Sequence, residues 1–365
     1  MRAAACIAAV KARAYTIPTD APEADGTFAW RQTTLVVATV EAAGETGLGY
    51  TYGASVAASL AADTLAETIR GQDAFDVPSC HRLMVNRVRN LGRSGIAANA
   101  ISAVDAALWD LKAKLLASPL AALLGRARES VPIYGSGGFT SYDDRRLSTQ
   151  LADWVEKDGC RAVKMKIGSH PDDDARRVRV AKQAIGDAAL FVDANGAYSV
   201  QEALRLAETF ASEASVVWFE EPVSSDDLDG MAQVREGAPP GMDIAAGEYA
   251  YNVDDVRRML TRRAVDVQQA DASRCLGITG FLEAAALCNA HHIDLSGHCA
   301  PALHVHAACA APRLRHLEWF HDHVRIEHML FDGAPVAKNG AIAPDMSRPG
   351  LGLTFKERDA ERYAA

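Results

Sequence analysis

Ala162-Val163-Lys164-Met165-Lys166-Ile167 is a short run of strand character that carries two amines on alternate positions. Side chains alternate across a strand, so Lys164 and Lys166 share one face and Met165 takes the other. Three further apolar runs each close on a carboxylate: 189–193 on Asp193, 216–220 on Glu220 and 244–248 on Glu248. The acids stand 27 and 28 residues apart, room for one strand, one helix and two loops. Repetition of that unit delivers one carboxylate per strand to the same mouth of a parallel barrel, with the lysines inside and Met165 against the helices.

Strand-like segments recur at 131–134, 162–167, 189–193, 216–220, 244–247, 265–268, 293–296 and 316–319, starting 21 to 31 residues apart with helical patterns between them. Ser199 is placed as a helix N-cap, and 277–290 carries helical apolar periodicity. The fold class expected is α/β, a modified (β/α)8 TIM barrel preceded by an α+β capping domain. The capping domain, residues 1–125, has a β-branched strand at 33–40, turn glycines at 44–49 and helical patterns at 54–70, 79–89 and 97–116. Residues 126–319 form the barrel with the catalytic residues, and 320–365 return to the capping domain. Residues 16–31, with two prolines and three acids, are long for a hairpin and read as a functional loop.

At 365 residues, 23% charged and 49% hydrophobic, the chain has an ordinary globular composition and can hold a barrel of about 250 residues plus a smaller domain. A net charge of −9 and no basic run argue against nucleic-acid binding. Seven cysteines without a Cys-x-x-Cys pair suit reduced thiols in a cytoplasm, and no apolar run reaches the roughly 18 residues of a membrane helix. Nucleotide-binding glycine motifs, a Gly-x-Ser-x-Gly elbow and His-Glu-x-x-His are all absent from the sequence.

Convergent Asp193, Glu220 and Glu248 make an oxygen-only site, which selects Mg2+ over Zn2+, with Mn2+ as a substitute. Alternation turns Glu220 inward and leaves Glu221 as an acid behind the site. A buried lysine pair needs a reason: either ordinary acid partners, or Lys164 lowering the Lys166 pKa towards neutrality so that a free amine serves as base. Asp271 and His298 stand at the sixth and seventh strand ends, where the acid can orient the imidazole as a second acid/base group. Glu318, at the eighth, is either a protonated acid for a substrate oxygen or an ion-pair partner. Ser136, in Tyr134-Gly135-Ser136-Gly137-Gly138, is a weaker substrate-binding signal at the first strand end. His304, His306, His321 and His323 read as structural.

Together with Ile101-Ser102-Ala103-Val104-Asp105-Ala106-Ala107-Leu108-Trp109-Asp110-Leu111-Lys112, Val192-Asp193-Ala194-Asn195, Glu220-Glu221-Pro222 and Ala246-Gly247-Glu248, these residues resemble the enolase superfamily and its mandelate racemase subgroup over nearly the whole chain. The resemblance implies Mg2+ on Asp193, Glu220 and Glu248 and removal of a proton α to a carboxylate. It also implies Lys166 as base on one face, tuned by Lys164, His298 with Asp271 on the other, Glu318 near the substrate carboxylate and Asn195 as a substrate contact. Tyr249 and Ala270 depart from the asparagine and proline of the subgroup's namesake, which bears on the substrate.

The resemblance implies dehydration of an acid sugar to a 2-keto-3-deoxy acid, a lyase reaction, as the subgroup's commonest activity, and residues 16–31 add Thr19, Asp20, Asp25 and Arg31 to engage hydroxyls. Phe28 and Trp30 in the same stretch could instead line an aryl site and favour a racemase or epimerase of a 2-hydroxy acid. A barrel kept only for metabolite binding is the non-catalytic alternative. The expected partner is a small hydroxy-carboxylate, with no nucleic acid or membrane, in a cytoplasmic homo-oligomer.

Overall fold

The computed structural model describes residues 4–365. Three antiparallel strands open the chain: β1 (Ile7–Ala24), β2 (Ala29–Ala42) and β3 (Glu45–Tyr52), in that spatial order. Their inner face packs on the helix Ile96–Leu115, which is small and apolar along most of its length and almost wholly buried.

Residues 16–31 are not a loop. β1 and β2 extend through them as a ribbon that pairs Pro18 with Gln32 and Glu23 with Trp30, with a register shift between, and turn only around residues 25–28. Pro18 and Pro22 are tolerated because β1 is an edge strand and the ladder is irregular there.

The barrel strands are β4 (Val131–Gly137), β5 (Ala162–Lys166), β6 (Ala189–Asp193), β7 (Val216–Glu220), β8 (Asp243–Ala246), β9 (Val267–Ala270), β10 (Asp294–Gly297) and β11 (Leu314–Phe320). They pair in parallel in sequence order and close through β11 and β4. The sixth strand lies two residues later than the sequence suggests, which puts Asp271 directly after it. Ser199 caps its helix through a reciprocal capping box with Glu202.

Alternation sorts the strand residues. Val163, Met165, Leu190, Val192, Phe219 and Ile244 pack outward in the main core with the helices. Tyr134, Phe191 and Trp218 fill the barrel floor beside His316, Phe191 and Trp218 stacked at 5.1 Å and 16°. This aromatic plug supports everything above it, and cutting Phe191 to alanine would cost about 3–5 kcal/mol.

Beyond β11 comes the helix His321–Leu330; Ala341–Ile342 then pairs antiparallel with β4, and the chain end bridges Ala364 to Tyr15 of β1. Among the described residues no helix is long and apolar enough to cross a membrane.

Candidate active site

Parallel register aligns the functional residues: Lys166 lies opposite Asp193, and Asp193 opposite Glu220. Glu248 follows Gly247, whose φ of 139° and closeness to the next strand admit only glycine; a Cβ there would stand 2.2 Å from the Gln269 carbonyl oxygen. One oxygen each from Asp193, Glu220 and Glu248 falls within 4.8 Å of the others, all three residues buried. Hard oxygen donors so close would repel one another without a cation, and Glu248 Oε2 is buried with only a 3.3 Å approach from His298 Nε2. The donor set fits Mg2+.

Two lysines answer part of that charge. Lys164 Nζ stands 2.5 Å from Glu220, 2.8 Å from Glu318 and 3.2 Å from Asp193, and Lys166 Nζ stands 2.5 Å from Asp193. Burial opposes an ammonium here, but the acids outweigh it, so both lysines are held above their ordinary value. This corrects the expectation that Lys164 alone makes Lys166 a free amine. Lys164 does pull Lys166 down, but Asp193, 2.5 Å from the Lys166 ammonium, outweighs it. Glu221, behind the triad, has its pKa pushed well up by burial and by Glu248 and Asp193.

On the opposite wall, His298 Nδ1 meets Asp271 Oδ2 at 2.8 Å, which leaves Nε2 facing Glu248 Oε2 at 3.3 Å. Burial disfavours the imidazolium, yet Cys299, Glu248, Glu318 and Asp271 outweigh it and raise the His298 pKa. Arg274, which the sequence reading overlooked, stands 3.3 Å from Glu248 and 3.5 Å from Asp271 and lies over the Tyr249 ring. Its position three residues after a strand-end acid was the available signal. Burial opposes ionisation of Glu318, but Lys164, whose Nζ stands 2.8 Å away, and His298 hold its pKa low, which supports the ion-pair reading of the two.

A cavity of about 340 Å3 opens above this layer, between barrel mouth and capping lobe. Lys166, His298, Glu318 and the predicted contacts Asn195, Tyr249 and Trp30 line it. Asn195 has a left-handed φ of 46°, and its buried Oδ1 lacks a partner among the described residues. Ser136 does not reach the cavity: its hydroxyl donates to Glu318 Oε1 at 2.5 Å, so it holds an acid and not a ligand. Of Thr19, Asp20, Asp25 and Arg31, only Asp25 lines the cavity; Asp20 pairs with Arg146 and His321 instead. Gln32, Thr33 and Thr34 of β2, which the sequence did not mark out, complete the upper wall. The strand-end lysines, the dyad and the acids thus converge as expected.

Residues 10–125 match the family model of the mandelate racemase/muconate lactonizing enzyme N-terminal domain, and 146–360 match the enolase C-terminal domain-like model. The chain belongs to the enolase superfamily. A mandelate racemase/muconate lactonizing enzyme-like protein from Rubrobacter xylanophilus superposes on this superfamily member with a TM-score of 0.96 at 48% identity, covering 98% of this chain and 99% of that one. The 3,6-anhydro-alpha-L-galactonate cycloisomerase of Streptomyces coelicolor is 35% identical over 95% of this chain and 96% of its own. The L-talarate/galactarate dehydratase of Salmonella typhimurium is 32% identical over 81% of this chain and 73% of its own. The crystal structure of that dehydratase liganded with Mg and L-lyxarohydroxamate has a TM-score of 0.89 at 27% identity, covering 100% and 95%.

Proposed function

We propose that this protein is an Mg2+-dependent acid-sugar dehydratase that removes the proton α to a carboxylate and expels the β-hydroxyl as water, leaving an enol that tautomerises to a 2-keto-3-deoxy acid. The observation that carries the reading is the placement of two acid/base groups, Lys166 and the Asp271–His298 dyad, on separate walls of one cavity above three clustered carboxylates. Asp193, Glu220 and Glu248 would hold the cation, which when bound supplies the positive charge that stabilises an enediolate and relieves Lys166 of its tie to Asp193.

Lys166, on β5, takes the α-proton, with Lys164 beside it as a fixed positive charge that favours the neutral amine. His298 Nε2, kept protonated by its acidic surroundings and oriented through Nδ1 by Asp271, donates to the departing β-hydroxyl. The neutral imidazole and the ammonium that remain exchange protons with solvent before the next turnover. Glu318, fixed by Ser136 and Lys164, stands at the cavity floor as an acceptor for a substrate hydroxyl. Asn195 offers its free Oδ1 to another, and Tyr249 and Trp30 form side walls.

A second reading has its own observation: Phe28 and Trp30 stack at 6.2 Å and 13° on the cavity rim, a surface suited to an aryl group. An aryl 2-hydroxy acid has no β-hydroxyl to lose, so protonation by His298 on the opposite face would invert the centre and give a racemase. A screen of mono- and diacid sugars for 2-keto acid, run beside mandelate-type acids for loss of optical rotation, separates the two. Keto-acid formation from at least one sugar is expected. Racemisation of aryl acids with no keto acid from any sugar would reverse the assignment.

A further inference from the structure

His298, Cys299 and Glu318 bring three ligating atoms of different chemistry around one point. Cys299 Sγ lies 3.3 Å from His298 Nε2 and 3.3 Å from Glu318 Oε2, and Nε2 lies 3.6 Å from that same oxygen. A tetrahedral Zn2+ with bonds of about 2.3 Å to sulfur and about 2.0 Å to nitrogen and oxygen spaces its ligand atoms roughly 3.3–3.6 Å apart. Each of the three edges lies within about 0.3 Å of one face of such a tetrahedron, so only small side-chain shifts are needed to seat the ion.

Each ligand is also held from behind. Asp271 engages His298 Nδ1, which leaves Nε2 as the free donor, the carboxylate–histidine support common at zinc sites. Ser136 and Lys164 engage Glu318 Oε1, which leaves Oε2 turned to the thiol. Cys299 has a left-handed φ of 51°, and its own N–H donates to Glu318 Oε2 at 3.1 Å, so backbone and side chain are fixed together. All three residues are buried and line the cavity, whose open side can supply a water as fourth donor. Thiol, imidazole and carboxylate form a softer set than the three-carboxylate site and discriminate against Mg2+.

We propose that His298, Cys299 and Glu318 form a second metal site, selective for Zn2+, whose occupation ties up His298 Nε2 and switches the enzyme off. Binding releases two protons to solvent, one from the Cys299 thiol and one from His298 Nε2, and forms a zinc–sulfur and a zinc–nitrogen bond in their place; no oxidation occurs. The switch rests on the proposed role of His298 in the reaction, whereas the binding site does not.

Co2+ is a spectroscopic probe for the site, added to protein saturated with Mg2+ so that the carboxylate site is filled. The wild type is expected to develop a thiolate-to-cobalt charge-transfer band and the visible bands of a tetrahedral ion at one equivalent, both displaced by Zn2+. Cys299→Ser and Cys299→Ala, checked for folding by circular dichroism, are expected to lose the thiolate band. Zn2+ should inhibit the wild type in the presence of Mg2+, and each variant, compared with its own zinc-free rate, should need at least about tenfold more. Absence of the band in the wild type, or its survival in both variants, overturns the site and leaves the reaction reading untouched. A Cys299-dependent band without inhibition overturns the switch and locates the fault in the role given to His298.

Discussion

Lys164 Nζ and Glu318 Oε1 lie 2.8 Å apart inside the barrel, where neither side chain meets solvent. The same ammonium reaches Glu220 and Asp193, so one cation holds acids from three other strands together beneath the reacting groups. That arrangement gives Lys164 a structural duty beside its effect on Lys166. It predicts that Lys164→Met destabilises the metal-free protein by about 3–5 kcal/mol, because buried acids lose their counter-ion. Added Mg2+ should return part of the loss by neutralising two of those acids. Thermal melts with EDTA and with Mg2+ check this, and equal melting temperatures of wild type and variant in EDTA would remove the duty.

The metal site is open to direct titration. Asp193→Asn, Glu220→Gln and Glu248→Gln each delete one anionic donor from a mouth that contributes little to the core, so each should weaken Mg2+ binding at least about tenfold and leave the circular dichroism spectrum unchanged. Isothermal titration of Mg2+ into each variant is the measurement. Wild-type affinity in all three would dismiss the carboxylates as ligands.

Glu327 gives a pH dependence remote from the metal. Its Oε1 accepts from Tyr50 Oη of the capping lobe at 2.6 Å and its Oε2 from Ala302 N at 3.0 Å, so it ties lobe to barrel. Burial raises its pKa from the ordinary 4.5 to about 8, with those two bonds and a nearby Asp271 only adjusting it. A folded value above the unfolded one means that the native state holds the extra proton between those values. Stability is therefore greatest below about pH 4.5 as far as this group is concerned, and falls as the pH rises towards about 8. Glu327→Gln should flatten that slope and gain on the wild type as the pH climbs. Denaturant unfolding at a series of pH values tests it; parallel curves for the two proteins would refute the buried-acid account.

Much of this was legible in the chain because strand period and barrel period are both fixed. Lys164 and Lys166 stand two positions apart and one βα unit separates each acid from the next, so facing and depth follow from counting. Segments where tertiary context overrides local chemistry were not legible. Prolines and acids at 16–31 carry loop chemistry, yet β2 supplies a partner strand and the edge position tolerates Pro18. The charge state of Lys166 depends on a 2.5 Å approach of Asp193 that spacing cannot give. Cys299 and Arg274 act through loop geometry beyond the strand ends, where no periodicity points.

Two acid/base groups on separate walls should fail separately. With the substrate found by the screen, Lys166→Ala is expected to abolish α-proton exchange for one configuration of the α-carbon. His298→Asn is expected to abolish exchange for the other configuration or to block loss of the β-hydroxyl, with exchange at the Lys166 face retained. Asp271→Asn keeps the imidazole but replaces the acceptor 2.8 Å from Nδ1, so it should reproduce part of the His298→Asn defect through a changed tautomer and lower basicity. The experiment follows deuterium incorporation from D2O beside keto-acid release for the wild type and each variant. Exchange without product in His298→Asn would place the histidine at departure of the hydroxyl. Undiminished exchange and turnover in both Lys166→Ala and His298→Asn would end the two-base mechanism, because no other lysine or histidine lining the cavity, His323 excepted, could replace them, and His323 is held neutral by burial and stacked on Tyr52.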